Sequence, residues 1–257
     1  HTGDTSQNLE HDKTVTETAS KFLRERKASD KPFFFLAGYI CPHFPLIVPE
    51  SYWKNFEGKV PPPNIPDAYL DSLPLNYKHE RIGFNVEDAP ADVVKKGREL
   101  YYGLVQWFDE QVGAVLQSLA DSEVADNTIV IYSSDHGENM GEHGLWWKNA
   151  VYETAAHVPL IVSWPAKWAG GQRRSGVTSL VDVVQTIAEL GAGKAPDDWD
   201  GDSLVPYLND PKTAWKDFAV SEYSSHPIAS GFVMIREGNN KYVYDTTPDE
   251  HHGPQRE

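Results

Sequence analysis

The sequence predicts an α/β protein with a small antiparallel sheet at its C-terminal end, and three observations carry that expectation. Short apolar runs at 33–40, 129–132 and 158–163 have the composition of strands buried within an α/β sheet. Between the first two, Leu100, Leu104, Phe108, Val112, Val115, Leu116 and Leu119 form one apolar stripe, so 92–120 reads as an amphipathic helix. Beyond residue 209, three segments alternate apolar and polar residues as antiparallel strands do. The expected division is a main domain over 1–208 and a subdomain over 209–257.

Residues 1–10 are polar and read as a loop. Val15, Ala19, Phe22 and Leu23 then share a helical face, which predicts a helix over 14–26, broken by the polar stretch 27–31. The run 33–40 follows as a strand, although pattern alone also allows a helix. Residues 48–92 are rich in Pro, Asn, Asp and aromatics, with three prolines at 61–63, and are too long for a plain connection. That stretch reads as a functional excursion in which Tyr52, Trp53 and Tyr77 either touch substrate or pack the loop down. On helix 92–120, Asp109 and Glu110 are expected to face solvent or cap a neighbour. Strand 158–163 ends at Trp164-Pro165, and the basic loop 170–174 reads as solvated. A second apolar helix is expected over 177–190, and a composition shift at 209–216 marks the boundary. The last strands fall at 218–222, 232–236 and 241–244, with Gly238-Asn239-Asn240 turning the final hairpin.

Composition narrows the function. With 257 residues, 40% hydrophobic and 24% charged, the chain can fill one large domain or one domain plus an appendage. A net charge of −15 argues against nucleic acid or an anionic membrane as the main partner. No apolar run approaches the roughly 20 residues of a membrane-spanning helix. One cysteine, Cys41, excludes an intrachain disulfide and leaves the compartment open. The start at His1 and the stop at Glu257 read as cuts in a longer polypeptide.

The chemistry-bearing stretch is 129–148, IVIYSSDHGENMGEHGLWWK. Open α/β sheets bind ligands beyond the carboxyl ends of their strands, where Asp135, His136 and Gly137 stand. A carboxylate and an imidazole side by side can face one cation, with Gly137 allowing a sharp backbone turn. Lys148, thirteen residues after Asp135, lies on a Gly-punctuated loop that can fold back toward the strand end. A metal pair plus an ammonium suits a tetrahedral anion such as sulfate or phosphate. The alternative is an Asp-His-Gly turn closing a strand, with Lys148 solvated. At 41–46, Cys-Pro-His-Phe-Pro-Leu holds His43 between prolines, either as a proton donor or oxyanion contact or as a hydrogen-bonded structural His.

The segment SSDHGENMGEHGLWWKNAVYETAAHVPLIVSWP resembles the C-terminal metal-site block of the sulfatases, in the alkaline-phosphatase-like superfamily. Nearest in character are the arylsulfatase, choline-sulfatase and iduronate-2-sulfatase branches, and phosphonate monoester hydrolases share much of the block. The helix segment YYGLVQWFDEQVGAVL and the Pro-His-x-Pro segment around His43 are also similar to that family. The resemblance implies an alkaline-phosphatase-like sandwich with a central, mostly parallel sheet, and hydrolysis of small sulfate esters of aryl, sugar or choline type. It implies Asp135 and His136 as metal ligands, for Ca²⁺ or alternatively Mg²⁺, and His43 and Lys148 as catalytic contacts of the sulfate. His143, in Gly-Glu-His-Gly, and His226, between two C-terminal strands, are the substrate-binding candidates. The family nucleophile is a formylglycine made from cysteine in a Cys-x-Pro/Ala-x-Arg motif. Cys41 stands outside any such motif and reads as a packing residue. The formylglycine and the remaining metal ligands are therefore expected in a missing N-terminal segment, the main partner of this chain, and the isolated chain is expected to be inactive. A periplasmic or secreted location accompanies the resemblance. The runners-up are a phosphonate or phosphodiester hydrolase of the same superfamily and a non-catalytic binding module.

Overall fold

A computed structural model describes residues 1–224 and 231–246. The chain forms two compact units, His1–Asn64 with Asp88–Thr128, and Ile65–Glu87 with Ile129–Glu257. The composition shift at 209–216 lies within the second unit.

In the first unit, helix α1 (Gln7–Arg24) begins seven residues before the expected Thr14. The Ser6 side chain caps it by accepting from the Leu9 amide at 3.2 Å. Its hidden face includes Asp12, Thr16 and Ser20 beside Leu9, Ala19 and Leu23, so an apolar pattern alone under-reads it. Asp12, fully buried, accepts from the amides of Ile40 and Cys41 at 2.9 and 2.8 Å and fixes the chain leaving residues 33–40. That run is extended, but it is not the buried strand expected. Phe33 and Phe35 pack on Phe22, and Tyr39 packs on Phe108, whereas the opposite face leaves Phe34 and Leu36 73% and 79% exposed. A strand needs a ladder partner; among the described residues, the backbone of 31–39 has none.

Helix α2 (Glu50–Lys54) and, in the second unit, helix α3 (Leu75–Gly83) give the 48–92 stretch helical structure of its own. In the first unit, the 30-residue helix α4 (Ala91–Ala120) packs against α1 and α2. Gly103 lets the α2 backbone approach, since an added Cβ would lie 3.1 Å from the Trp53 nitrogen. Trp53 donates to Glu99 at 3.0 Å and Tyr52 to Glu110 at 2.5 Å, so these aromatics fasten the excursion to α4. Leu9, Cys41, Val48, Leu100, Leu104 and Trp107 close this unit's core.

In the second unit, strand β1 (Val130–Ser133) pairs antiparallel with β2 (Leu160–Ser163), Ile131 facing Val162. A short helix, α5 (Glu153–Ala156), precedes β2. β1 is half-buried throughout and Ile161 of β2 is 60% exposed, so neither strand is enclosed on both faces as expected. All three ladders among the described residues are antiparallel, and the only parallel pairing there is the isolated Thr2–Val48 bridge. The parallel interior expected of the sheet is therefore not formed by the described residues, because β1 has a partner on one edge alone.

Helix α6 (Leu180–Ala192) opens with a capping box of Ser179 and Asp182 and ends at Gly193, whose φ of +82° an L-residue disfavours. Helix α7 (Val205–Asn209) follows, and Arg174 is not simply solvated, since its Nε donates to the Tyr207 carbonyl at 3.0 Å. Strands β3 (Phe218–Tyr223), β4 (Phe232–Glu237) and β5 (Asn240–Asp245) form the expected antiparallel sheet, with Gly238 and Asn239 turning the last hairpin. Of the two roles open to Tyr77, the structure shows the packing one, since it is buried with Leu73, Leu145, Val151, Phe232 and Met234.

On α3, Glu80 is buried, 4% exposed, and burial pushes its carboxyl up to about 8 from 4.5. Between those two values the native chain keeps a proton that the unfolded chain has lost, so stability falls as pH rises from about 4.5 to about 8. Replacing Glu80 by Gln removes the ionisable group. Urea unfolding should then show a flatter pH dependence across that window and a gain on the order of 3 kcal/mol at the top of it. An unchanged slope would show that Glu80 reaches water in the native state.

Candidate functional site

The site is built on the turn that leaves β1. The Ser134 hydroxyl donates to the His136 carbonyl at 2.8 Å, and the His136 amide donates to Asp135 Oδ1 at 3.0 Å. These short-range bonds turn the chain within two residues of the strand end and set Asp135 and His136 beside each other. His136 Nδ1 lies 2.9 Å from the Gly137 carbonyl oxygen, which can only accept, so Nδ1 carries a hydrogen. Its Nε2 faces Asp135 Oδ2 at 3.3 Å. An unprotonated nitrogen and a carboxylate oxygen repel at that distance unless a proton or a cation interacts with both. The carbonyl contact also orients the imidazole as outer-shell bonds orient metal-bound histidines.

The pair fits part of a metal site. Ca²⁺ takes six to eight ligands, mostly oxygen. Asp135, with 82% of its side chain exposed, and His136 offer at most three contact atoms. Among the described residues, no group of three or more His, Cys, Asp or Glu side chains is placed to hold an ion. A Ca²⁺ ion held there would need further ligands.

Gly137 has a role other than the sharp turn expected. Its amide donates to the Ala155 carbonyl at 2.8 Å, and the Glu138 amide to the Thr154 carbonyl at 2.9 Å. A Cβ on Gly137 would overlap the Thr154 carbonyl oxygen. Replacing Gly137 by Ala should therefore cost about 2–3 kcal/mol and displace the Asp135–His136 turn. Chemical unfolding checks the first effect, and a stability loss under 0.5 kcal/mol would mean that the approach relaxes freely.

From Glu138 the chain folds back to Lys148. The Asn139 amide donates to the Trp147 carbonyl at 2.8 Å and the Gly141 amide to the Leu145 carbonyl at 2.7 Å. Asn139 is buried and accepts from the Thr154 hydroxyl at 2.7 Å. Met140, His143 and Trp147 hold φ of +49°, +59° and +63°, each costing roughly 1–2 kcal/mol for a non-glycine residue. Glu138 Oε1 accepts from the amides of Met140, at 3.2 Å, and Trp147. Burial raises the Glu138 carboxyl, while those two amides and the charges of Lys148 and His136 pull it down.

His143 belongs to an aromatic cluster. Its Nδ1 is 2.6 Å from the Tyr69 hydroxyl, and its ring stacks on Tyr152 with centroids 3.6 Å apart. Burial lowers its pKa, favouring the neutral imidazole. Arg81 braces the same turn by donating to the Gly144 carbonyl at 2.9 Å.

His43 stands in the first unit, between the cis peptide bonds Cys41–Pro42 and Phe44–Pro45. Its Nδ1 is 2.8 Å from the Phe44 carbonyl oxygen and its ring stacks on Phe44 at 4.2 Å. Cys41 is buried, and burial together with the Asp12 carboxylate pushes its thiol pKa well up, which suits a packing residue and not a thiolate. His226 lies outside the described residues.

Of the expected residues, the second unit sets Asp135 and His136 side by side at the turn after β1, and Lys148 follows Trp147 at the end of the returning loop. Sequence reasoning missed Glu138, although it directly follows Asp-His-Gly and a carboxylate beside paired ligands is a readable signal. It also missed Tyr69 and Arg81, which no local pattern ties to the 141–144 turn.

A family model described as Sulfatase matches residues 2–193. Human iduronate 2-sulfatase is 34% identical over 171 residues, 62% of this chain and 31% of that protein. The choline-sulfatase of Rhizobium meliloti (strain 1021) is 29% identical over 254 residues, covering 92% of this chain and 48% of the relative. The chain thus spans about half, or less, of the length of these relatives. Among solved structures, the phosphonate monoester hydrolase of Agrobacterium radiobacter matches with a TM-score of 0.75 and 26% identity, over 90% of this chain and 52% of that one. A 2-O GAG sulfatase matches with a TM-score of 0.73 and 22% identity, over 94% and 54%.

Proposed function

Because the chain belongs to the sulfatase family and carries its alkaline-phosphatase-like α/β fold, we propose that the protein containing it hydrolyses small sulfate esters. The observation that carries this reading is the Asp135–His136 pair, 3.3 Å apart at the end of β1. Asp135 Oδ2 and His136 Nε2 are assigned as part of a divalent cation site, for Ca²⁺ or alternatively Mg²⁺. A bound cation there supplies positive charge to the sulfate oxygens. Lys148 is assigned as a second cationic contact of the sulfate, and His43 as a hydrogen-bonding group at the departing oxygen. The nucleophile is assigned outside residues 1–257, as a formylglycine, because the only thiol here is buried and its pKa is raised. The isolated 257-residue chain should accordingly be inactive.

A second reading, hydrolysis of phosphonate monoesters, is favoured by the likeness to the Agrobacterium radiobacter enzyme at a TM-score of 0.75. Parallel assays of the full-length protein on 4-nitrophenyl sulfate and 4-nitrophenyl phenylphosphonate separate the two. The sulfate reading requires the larger kcat/KM on the sulfate ester and loss of turnover on chelation. Turnover of the phosphonate alone would establish the second reading instead.

A further inference from the structure

Lys148 follows a residue in an unfavourable backbone conformation, and one carboxylate holds that residue in place. Trp147 has φ of +63°, in a region that a bulky side chain adopts rarely. Its amide donates to Glu138 Oε1, which also accepts from the Met140 amide, where φ is +49°. One oxygen thus pins both limbs of the returning loop. The Glu138 backbone is itself anchored, its amide donating to the Thr154 carbonyl at 2.9 Å. Without that acceptor, two amides inside the loop lose their partner, and Trp147 loses the contact that stabilises its left-handed conformation. The direction in which the chain enters Lys148 is set at that residue.

Resting on the sulfate-ester reading, we propose that Glu138 is a positioning residue that keeps the Lys148 ammonium beside the Asp135–His136 pair. It touches neither substrate nor metal in this role. It acts through the Met140 and Trp147 amides that it accepts from.

The test uses the full-length protein with Glu138→Ala, Glu138→Gln, Lys148→Ala and the Glu138→Ala/Lys148→Ala double variant, well below the unfolding temperature of each. Glu138→Ala should lower kcat for 4-nitrophenyl sulfate about 10–100-fold, the range seen when an outer-shell partner is lost. Glu138→Gln keeps an acceptor oxygen and should recover most of that loss. In the Lys148→Ala background, Glu138→Ala should have little further effect, whereas a residue that only stabilises the fold would give additive losses. Hydrogen exchange gives an arm that does not depend on turnover. The amides of 140 and 147 should exchange at least about tenfold faster in Glu138→Ala, with those of β1 and β2 unchanged. Additive losses in the cycle, or unchanged loop exchange, overturn the positioning role. If Lys148→Ala leaves sulfate-ester turnover intact, the sulfate reading of Lys148 fails, and the exchange result still decides whether Glu138 holds the loop.

Discussion

Replacing Asp135 by Ala in the full-length protein should lower kcat/KM for an aryl sulfate by about 10³-fold or more, with almost no loss of stability. The two halves of that expectation have separate causes. The Asp135 side chain is 82% exposed, and its hydrogen bonds are to its immediate neighbours Ser134 and His136. An exposed substitution of this kind typically changes stability by no more than about 0.5 kcal/mol. The activity loss follows because the carboxylate adjoins His136 Nε2 at 3.3 Å, so removing it takes away one of the two groups assigned to the cation. Removing a preorganised electrostatic group from a reacting centre costs on the order of 10²–10³-fold in rate, and more where a metal leaves with it. Asp135→Asn keeps the shape and one acceptor oxygen and should fall between the two. Kinetics alongside a thermal melt make the check. Activity within about threefold of the parent would remove Asp135 from the chemistry.

The largest stability effect is expected at Asp182, far along the chain from the candidate site. This carboxylate is fully buried at the start of α6. It accepts from the amides of Ser179 and Asp202, each at 2.8 Å, and from Lys216 Nζ at 2.7 Å. Burial pulls the Lys216 ammonium down, and its hydrogen bonds to Asp182 and Asp202 more than offset that, leaving its pKa raised. The stabilisation is therefore complete at neutral pH and is lost only as pH climbs through that raised value. Asp182→Ala removes one half of the capping box, leaves the Ser179 and Asp202 amides without that acceptor and takes away one of the two carboxylates on Lys216. Together these should cost about 3–5 kcal/mol in urea unfolding. Asp182→Asn keeps an acceptor oxygen and should cost less. A loss under about 1 kcal/mol for the Ala variant would mean that water or a rearranged Asp202 takes over the network.

What could be read from the sequence was what local pattern encodes. The stripe of α4 and the alternation of β3, β4 and β5 are nearest-neighbour signals, and the structure places them within a few residues of expectation. Asp135 and His136 were legible for the same reason, because adjacency alone puts their polar atoms within reach. The first turns of α1 were not, since its hidden face is partly polar and Asp12 is buried for its bonds to Ile40 and Cys41. Residues 33–40 alternate as a strand does, yet alternation does not say whether a partner covers the outer face of Phe34 and Leu36. The Tyr69–His143–Tyr152 cluster joins positions 74 and 83 apart, beyond any local period. Gly137 was assigned the wrong reason: its missing side chain makes room for the Thr154 carbonyl, a contact that only the fold brings about.

Calorimetric titration of Ca²⁺, with Mg²⁺ in parallel, into the metal-free full-length protein tests most directly whether Asp135 and His136 form part of a cation site. The account predicts a single saturable site in the parent protein that is weakened at least tenfold in the Asp135→Ala/His136→Ala double variant, together with a parallel loss of sulfate-ester turnover. Equal cation affinity in the parent and the double variant, with turnover intact, would contradict it.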